Sequence, residues 1–172
     1  MVNVQFSLVT DRLIIEPLAL ADDQFILELV NTEGWLRFIG NRNITSDADA
    51  RAYIQKIIEN HDISYWVVSR SDDRAKAGVI TYIKREYLDH RDIGFAFLPQ
   101  FSKKGYAYEA TIGVLKQLIR ERNILHVLAT TLPGNMESIK LLKKLGFEFE
   151  REIDVKTEKL LLYGTSTCKF LQ

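Results

Sequence analysis

Asn135-Met136-Glu137-Ser138-Ile139-Lys140-Leu141-Leu142-Lys143-Lys144-Leu145-Gly146-Phe147 is the segment from which the fold assignment grows. Pro133-Gly134-Asn135 opens a helix here. Lys143-Lys144 and Gly146 close it, through favourable charge at a helix C-terminus and the left-handed cap that glycine adopts readily. Asn135 suits the capping position and Ser138 the first turn, so alone the segment reads as an ordinary capped helix. Just upstream, Ile124 to Thr131 is a short, almost wholly apolar strand, of the kind covered on both faces. Two strands, about Glu148 to Val155 and Lys159 to Thr167, follow it downstream.

The apolar strand is preceded by Leu98-Pro99-Gln100-Phe101-Ser102-Lys103-Lys104-Gly105-Tyr106-Ala107-Tyr108-Glu109-Ala110, a strand-to-helix junction. Ala110, Val114, Leu118 and Ile119 then share one side of a helix running from near Gly105 to near Asn123. Strand, helix and strand in succession imply a right-handed crossover to a parallel neighbour. Backbone N–H groups at the helix start, with Gly105 permitting close approach and Lys103 and Lys104 adding charge, would cradle a diphosphate. The same residues also fit a plain turn with two solvated lysines. Neither a Walker A loop nor a three-glycine dinucleotide fingerprint is present, which argues against nucleoside triphosphates and nicotinamides.

Towards the N-terminus, Tyr65-Trp66-Val67-Val68, Ala77 to Ile83 and Asp92 to Leu98 form three strands joined by polar turns, an antiparallel meander. Before them, Ala50, Tyr53, Ile54, Ile57 and Ile58 continue a helical stripe that Ser46 and Asp49 cap. Phe25, Ile26, Leu29 and Val30 mark an earlier helix, and Leu8 to Leu18 a first strand ended by Pro17.

The bulk numbers limit what such a chain can be. Its 172 residues, 47% of them hydrophobic, suit one domain spanning residues 1–172. Lys plus Arg and Asp plus Glu number 23 each, so no global field draws it to nucleic acid or a membrane surface. A lone Cys168 allows no internal disulfide, which fits the cytoplasm, and is expected to pack in the last strand. No apolar run reaches the roughly 20 residues that span a bilayer, and Met1 to Thr10 lacks a signal-peptide pattern; a soluble, unprocessed protein is expected. His61, His90 and His126 lack metal-ligand spacing, so no metal is assigned.

Together the two central segments resemble the cofactor motifs of the GNAT superfamily of N-acetyltransferases. These are Lys-Lys-Gly-Tyr-Ala-Tyr-Glu-Ala at 103–110 and Asn-x-x-Ser-x-x-Leu-Leu-x-Lys-Leu-Gly-Phe at 135–147. Thr10-Asp11-Arg12-Leu13 and Asp92-Ile93-Gly94-Phe95 are similar to the opening and central strands of the ribosomal-protein N-acetyltransferase branch. The resemblance implies an α/β (α+β) GNAT fold: a mixed, mostly antiparallel sheet of about seven strands, flanked by about four helices and splayed between the fourth and fifth strands. It implies that the backbone of Lys103, Lys104, Gly105, Tyr106 and Ala107 holds the diphosphate of acetyl-CoA. The strand with Phe97 and Leu98 would pair with pantetheine, and Asn135 and Ser138 would line the far side. A backbone N–H near the thioester carbonyl would stabilise the oxyanion.

Both motifs depart from the family pattern. Ser102 stands where Arg or Gln is usual, and Lys103 where glycine is often next. Leu142 stands where many members carry a tyrosine general acid, leaving Ser138 to return a proton to the thiolate. Asp92, where the branch commonly has Glu, is a candidate base acting through water, or a strand-end aspartate that satisfies a turn. Glu109 is read as complementing the helix dipole. The implied reaction is direct acetyl transfer to a primary amine. About a tenth of protein α-amines are neutral at pH 7, against roughly one lysine in a thousand, so an α-amine needs less help. A protein N-terminus is therefore the leading acceptor. A small amine such as a polyamine, amino acid or aminoglycoside, and CoA binding without turnover, are the rivals. Trp35 and Phe38 either shape the acceptor pocket or belong to the core. A homodimer is compatible with the family.

Overall fold

The structure, a computed structural model, describes residues 4–170. The chain starts as a hairpin, β1 (Leu8–Val9) and β2 (Leu13–Pro17), whose turn is the polar Thr10-Asp11-Arg12 patch. Three helices follow: α1 (Asp23–Val30), α2 (Glu33–Phe38) and α3 (Asp47–Glu59). The meander is β3 (Ile63–Arg70), β4 (Lys76–Ile83) and β5 (Asp92–Phe97). Then come α4 (Tyr106–Arg122), β6 (His126–Thr131), α5 (Met136–Lys144), β7 (Glu148–Val155) and β8 (Glu158–Ser166).

All eight strands form one sheet in the order β1-β2-β3-β4-β5-β6-β8-β7. Among the described residues only β5 and β6 run parallel; every other neighbouring pair is antiparallel. The sheet has one strand more than the sequence implied, because Leu8–Val9 folds back on Ile14–Ile15. The α-helices among the described residues number five, because Thr32 accepts a hydrogen bond from the Trp35 N–H and so caps a short helix in what read as a connection.

Strand alternation gives the sheet two buried faces. Trp66, Val68, Ile80, Tyr82 and Ile93 pack against Ala110, Val114, Leu118 of α4 and Ile139, Leu142 of α5. On the other face Val67 and Val79 meet Phe25, Ile26 and Leu29 of α1, Trp35 of α2, and Ala50, Ile54 of α3. The capping chemistry read from sequence is in place: Ser46 Oγ accepts from the Asp49 N–H at 3.1 Å, and Asn135 Oδ1 accepts from the Ser138 N–H at 3.2 Å. Asn123 ends α4 in a left-handed conformation. Cys168 differs from expectation. It is exposed in a 3-10 turn, Thr167–Phe170, after the last strand, because β8 ends at Ser166. No helix among the described residues is long and apolar enough to cross a membrane.

A split sheet as the candidate active site

The parallel strands β5 and β6 are in register at one point, Asp92 opposite Leu128, where the Leu128 N–H donates to the Arg91 carbonyl at 3.1 Å. Beyond it they part, leaving a wedge in the middle of the sheet. Leu98 donates its N–H to Ala77 of β4 at 2.8 Å. By alternation, Gly94 and Ala96 also turn their amides to β4, while Phe95 and Phe97 turn theirs to the wedge. Phe97 therefore offers backbone groups to a ligand in the gap. The Leu98 amide is already engaged, and its side chain lies in the core shared with Trp35.

Because β5 and β6 are parallel, the segments that follow them lie at the same, open end of the wedge. After β5 comes a 3-10 turn, Pro99–Phe101, and then Lys103, whose φ of 59° is left-handed although it carries a side chain. Gly105 is the N-cap of α4, with φ of 80° and no side chain capping the helix. The first helical bond runs from the Glu109 N–H to Gly105, so the N–H groups of Tyr106, Ala107 and Tyr108 have no helical carbonyl to bind. An uncapped start on a helix of 17 residues fits an anion such as a diphosphate. After β6, the other rim of the opening carries Asn135 and Ser138. Asn135 spends its carbonyl oxygen on the cap and keeps its side-chain N–H donors, and the partly buried Ser138 hydroxyl has no bond to another described residue.

The loop before α4 is braced from the N-terminal hairpin, by contacts between segments far apart in the chain. Glu109 accepts from Thr10 Oγ1 at 2.6 Å, from the Arg12 N–H at 2.9 Å and from Arg12 Nε at 2.7 Å. Arg12 also donates to the Lys104 carbonyl at 2.9 Å and lies 4.7 Å from the centre of the Tyr106 ring. Burial pushes the Glu109 carboxyl up, yet the bonds from Thr10 and Arg12 outweigh it and hold the group below its ordinary value. Glu109, the acidic residue in the first turn of α4, thus also ties that turn to the N-terminal hairpin.

At the closed end, Asp92 is 4% exposed. Its carboxylate accepts from Arg85 Nε at 3.2 Å and from Thr130 Oγ1 of β6 at 3.4 Å, so it spans both walls of the wedge. Burial pushes its carboxyl above the ordinary value, and the bonds from Arg85 and Thr130 only partly offset this. Asp92 lies on the sheet face covered by α1 to α3. On that face Tyr65 of β3 and Tyr53 of α3 bring their hydroxyls to 3.5 Å, and burial pushes the Tyr65 phenol well up. Arg85, two residues beyond β4, stands among Asp92, Tyr65 and Tyr87.

Other expected participants are placed differently. Trp35 is 3% exposed within the core, and its indole N–H has no partner among the described residues. Phe38 is half-buried under Arg37. Leu142 is 1% exposed, with α4 and the sheet packed around it, so the position of the family tyrosine is a core site here. His90 and His126 lie with ring centres 5.0 Å apart, and His126 faces Glu150 at 3.4 Å. No group of three His, Cys, Asp or Glu able to hold a metal occurs among the described residues.

The gap between two parallel strands, the uncapped helix start at its mouth and the buried carboxylate at its apex thus lie at one place in the sheet. The acetyltransferase (GNAT) domain family matches residues 12–148, and the chain belongs to it; the family uses acetyl-CoA to acetylate amines. The chain is 28% identical over 142 residues, 82% of each protein, to the uncharacterized N-acetyltransferase YnaD of Bacillus subtilis (strain 168). Its fold is similar to the ribosomal-protein-S5-alanine acetyltransferase of Vibrio fischeri, with TM-score 0.80, 18% identity, and coverage of 96% and 98% of the two chains. It is also similar to spermidine N-acetyltransferase of Vibrio cholerae in complex with CoA and spermine, with TM-score 0.79, 17% identity, and coverage of 95% and 100%.

Proposed function

We propose that this chain, as a single domain, moves the acetyl group of acetyl-CoA directly to a protein N-terminal α-amine, with Asp92 as the base. The observation that carries the reading is the placement of Asp92: buried at the apex, bonded to both walls, and raised in pKa towards the range useful for accepting a proton. Acetyl-CoA supplies the activated acyl carbon. The free N–H groups at the start of α4 would hold its diphosphate, and the inward edge of Phe95 and Phe97 would align its pantetheine arm. As the amine nitrogen bonds to the carbonyl carbon and the carbon–sulfur bond breaks, the amine proton passes to Asp92 through a water, and the Ser138 hydroxyl gives one to the sulfur while taking one from a second water. Asn135 orients the same arm from the opposite rim.

The rival acceptor is a polyamine, which the likeness to a spermidine acetyltransferase brings in at the level of fold alone. A polycation is best received by several carboxylates. The charged groups acting on Asp92 and Tyr65 are instead the cations Arg85 and Arg42, which supports a singly charged acceptor.

Thermal melting with rising acetyl-CoA tests the cofactor half, since saturation at 100 times the dissociation constant adds about 2.7 kcal/mol. Thiol release with a peptide bearing only an α-amine, against spermidine, tests the acceptor half. Acetylation of spermidine but not of the peptide would overturn the assignment.

A further inference from the structure

Arg85 has donor capacity that the protein itself does not consume. Its Nε bonds to Asp92 at 3.2 Å, and its two terminal nitrogens make no hydrogen bond to a described residue. The side chain is 38% exposed, so the fork is reachable from outside while its Nε is fixed on a buried carboxylate. Tyr65 and Tyr87 stand near enough to be felt by its charge. Two duties could account for a cation at this place. One is neutralising Asp92, for which a point charge suffices. The other is presenting a planar fork to an oxygen, which only a guanidinium does well.

We infer that Arg85 anchors the acceptor through an oxygen on the carbon next to its amine-bearing carbon, and so selects α-amino acyl groups over plain amines. This rests on the proposed transfer at Asp92 and adds the feature by which the acceptor is recognised. In an α-amino acyl group the nitrogen and the carbonyl oxygen are separated by two carbons. An oxygen on the terminal nitrogens of Arg85 therefore brings the nitrogen beside the carboxylate that Nε already holds. A polyamine has no such oxygen, and its ammonium groups are repelled by Arg85. The free carboxylate of an amino acid and the amide carbonyl of a peptide share this chemistry, and the carboxylate adds a second contact to the fork.

The test compares kcat/KM of the full-length protein with acetyl-CoA for alaninamide, alanine and isopropylamine, which is the same skeleton without the oxygen. Measurements are repeated in Arg85→Gln and Arg85→Lys. Any effect passed through Asp92 touches all three amines and cancels in their ratios. The preference for alaninamide over isopropylamine should fall at least about tenfold in Arg85→Gln, equivalent to roughly 1.4 kcal/mol, and by less in Arg85→Lys. The alanine arm tells a carboxylate from an amide carbonyl by which loses more. A calorimetric titration of N-acetylalaninamide into the CoA-loaded protein reads the anchor without turnover, and should weaken by the same factor. If wild type turns over the amines and the ratios are unchanged in both variants, Arg85 is not the anchor although the transfer reading stands. If wild type acetylates none and binds no N-acetylalaninamide, the transfer reading and the anchor fall together. Should Arg85→Gln fail to fold, Arg85→Lys still reads the fork, because it keeps the charge beside Asp92.

Discussion

Arg12 and Glu109 lie 97 residues apart in the chain and meet at 2.7 Å, joining the turn of the first hairpin to the first turn of α4. Because Arg12 also holds the Lys104 carbonyl, the pair fixes the backbone that precedes the free helix start. A loop that binds through its amides needs them held at one spacing, and this contact does that from outside the loop.

Glu109→Gln keeps the size of the side chain and removes the charge. It should lower stability by about 1 kcal/mol, the scale of a partly exposed ion pair with hydrogen bonds, and raise KM for acetyl-CoA more than it changes kcat. The group is held below its ordinary pKa, so its stabilising share is present above the unfolded carboxylate pKa and is lost as pH falls through the folded one. Melting curves of the two proteins should therefore converge in acid. Curves that stay parallel would show that the charge contributes nothing.

Asp92 has the opposite sign. Its pKa is raised by burial, so its contribution to stability is fullest below the unfolded carboxylate pKa and is lost as pH rises through the folded value. For catalysis, activity falls as pH drops and protonates the base. Below both pKa values, log kcat/KM for an α-amine should climb with two protons lost, one from Asp92 and one from the amine. In Asp92→Asn the slope should drop to one. A slope of two in the variant would assign the base elsewhere.

Lys103 occupies left-handed backbone with φ of 59°, a conformation that favours glycine. Lys103→Gly should raise stability by about 1 kcal/mol, visible as a higher melting temperature. If the amides rather than the ammonium hold the diphosphate, KM for acetyl-CoA should rise by less than about fivefold, the ceiling for an exposed ion pair. A larger rise would give the side chain a binding role.

Ser138→Ala and Asn135→Ala separate proton return from capping. The first should lower kcat about a hundredfold, with little change in melting, if the hydroxyl protonates the thiolate. The second removes a helix cap and should cost about 1 kcal/mol in addition to any kinetic effect. An unchanged kcat in Ser138→Ala would leave the thiolate to be protonated by solvent.

Much of this architecture is legible in sequence because it is local. Ser46, Asn123, Asn135 and Gly146 end helices by interactions within a few residues, and the stripes of α1, α3 and α4 repeat at the helical period. The order of the last strands is not: β8 inserts between β6 and β7, a choice among long-range pairings that all suit the same alternation. The two-residue β1 is too short to show a period. At the site, Gly105 and Asn135 stand inside dense local patterns. Arg85 sits in the charged run Lys84-Arg85-Glu86, where nothing nearby separates a solvated arginine from one fixed on a buried aspartate. Thr130, and the bracing contacts of Glu109, are equally hidden, because the partners come from distant parts of the chain.

The wedge between β5 and β6 also bears on what holds the molecule upright. In a closed sheet every inner strand has two neighbours, but past Asp92 each of these two has only one. A pantetheine arm lying along Phe95 and Phe97 would serve as a borrowed strand, bridging halves that otherwise meet at a single rung. The co-substrate would then be scaffold as well as reagent. Each departure of CoA would leave the centre of the sheet unstitched until the next molecule arrives.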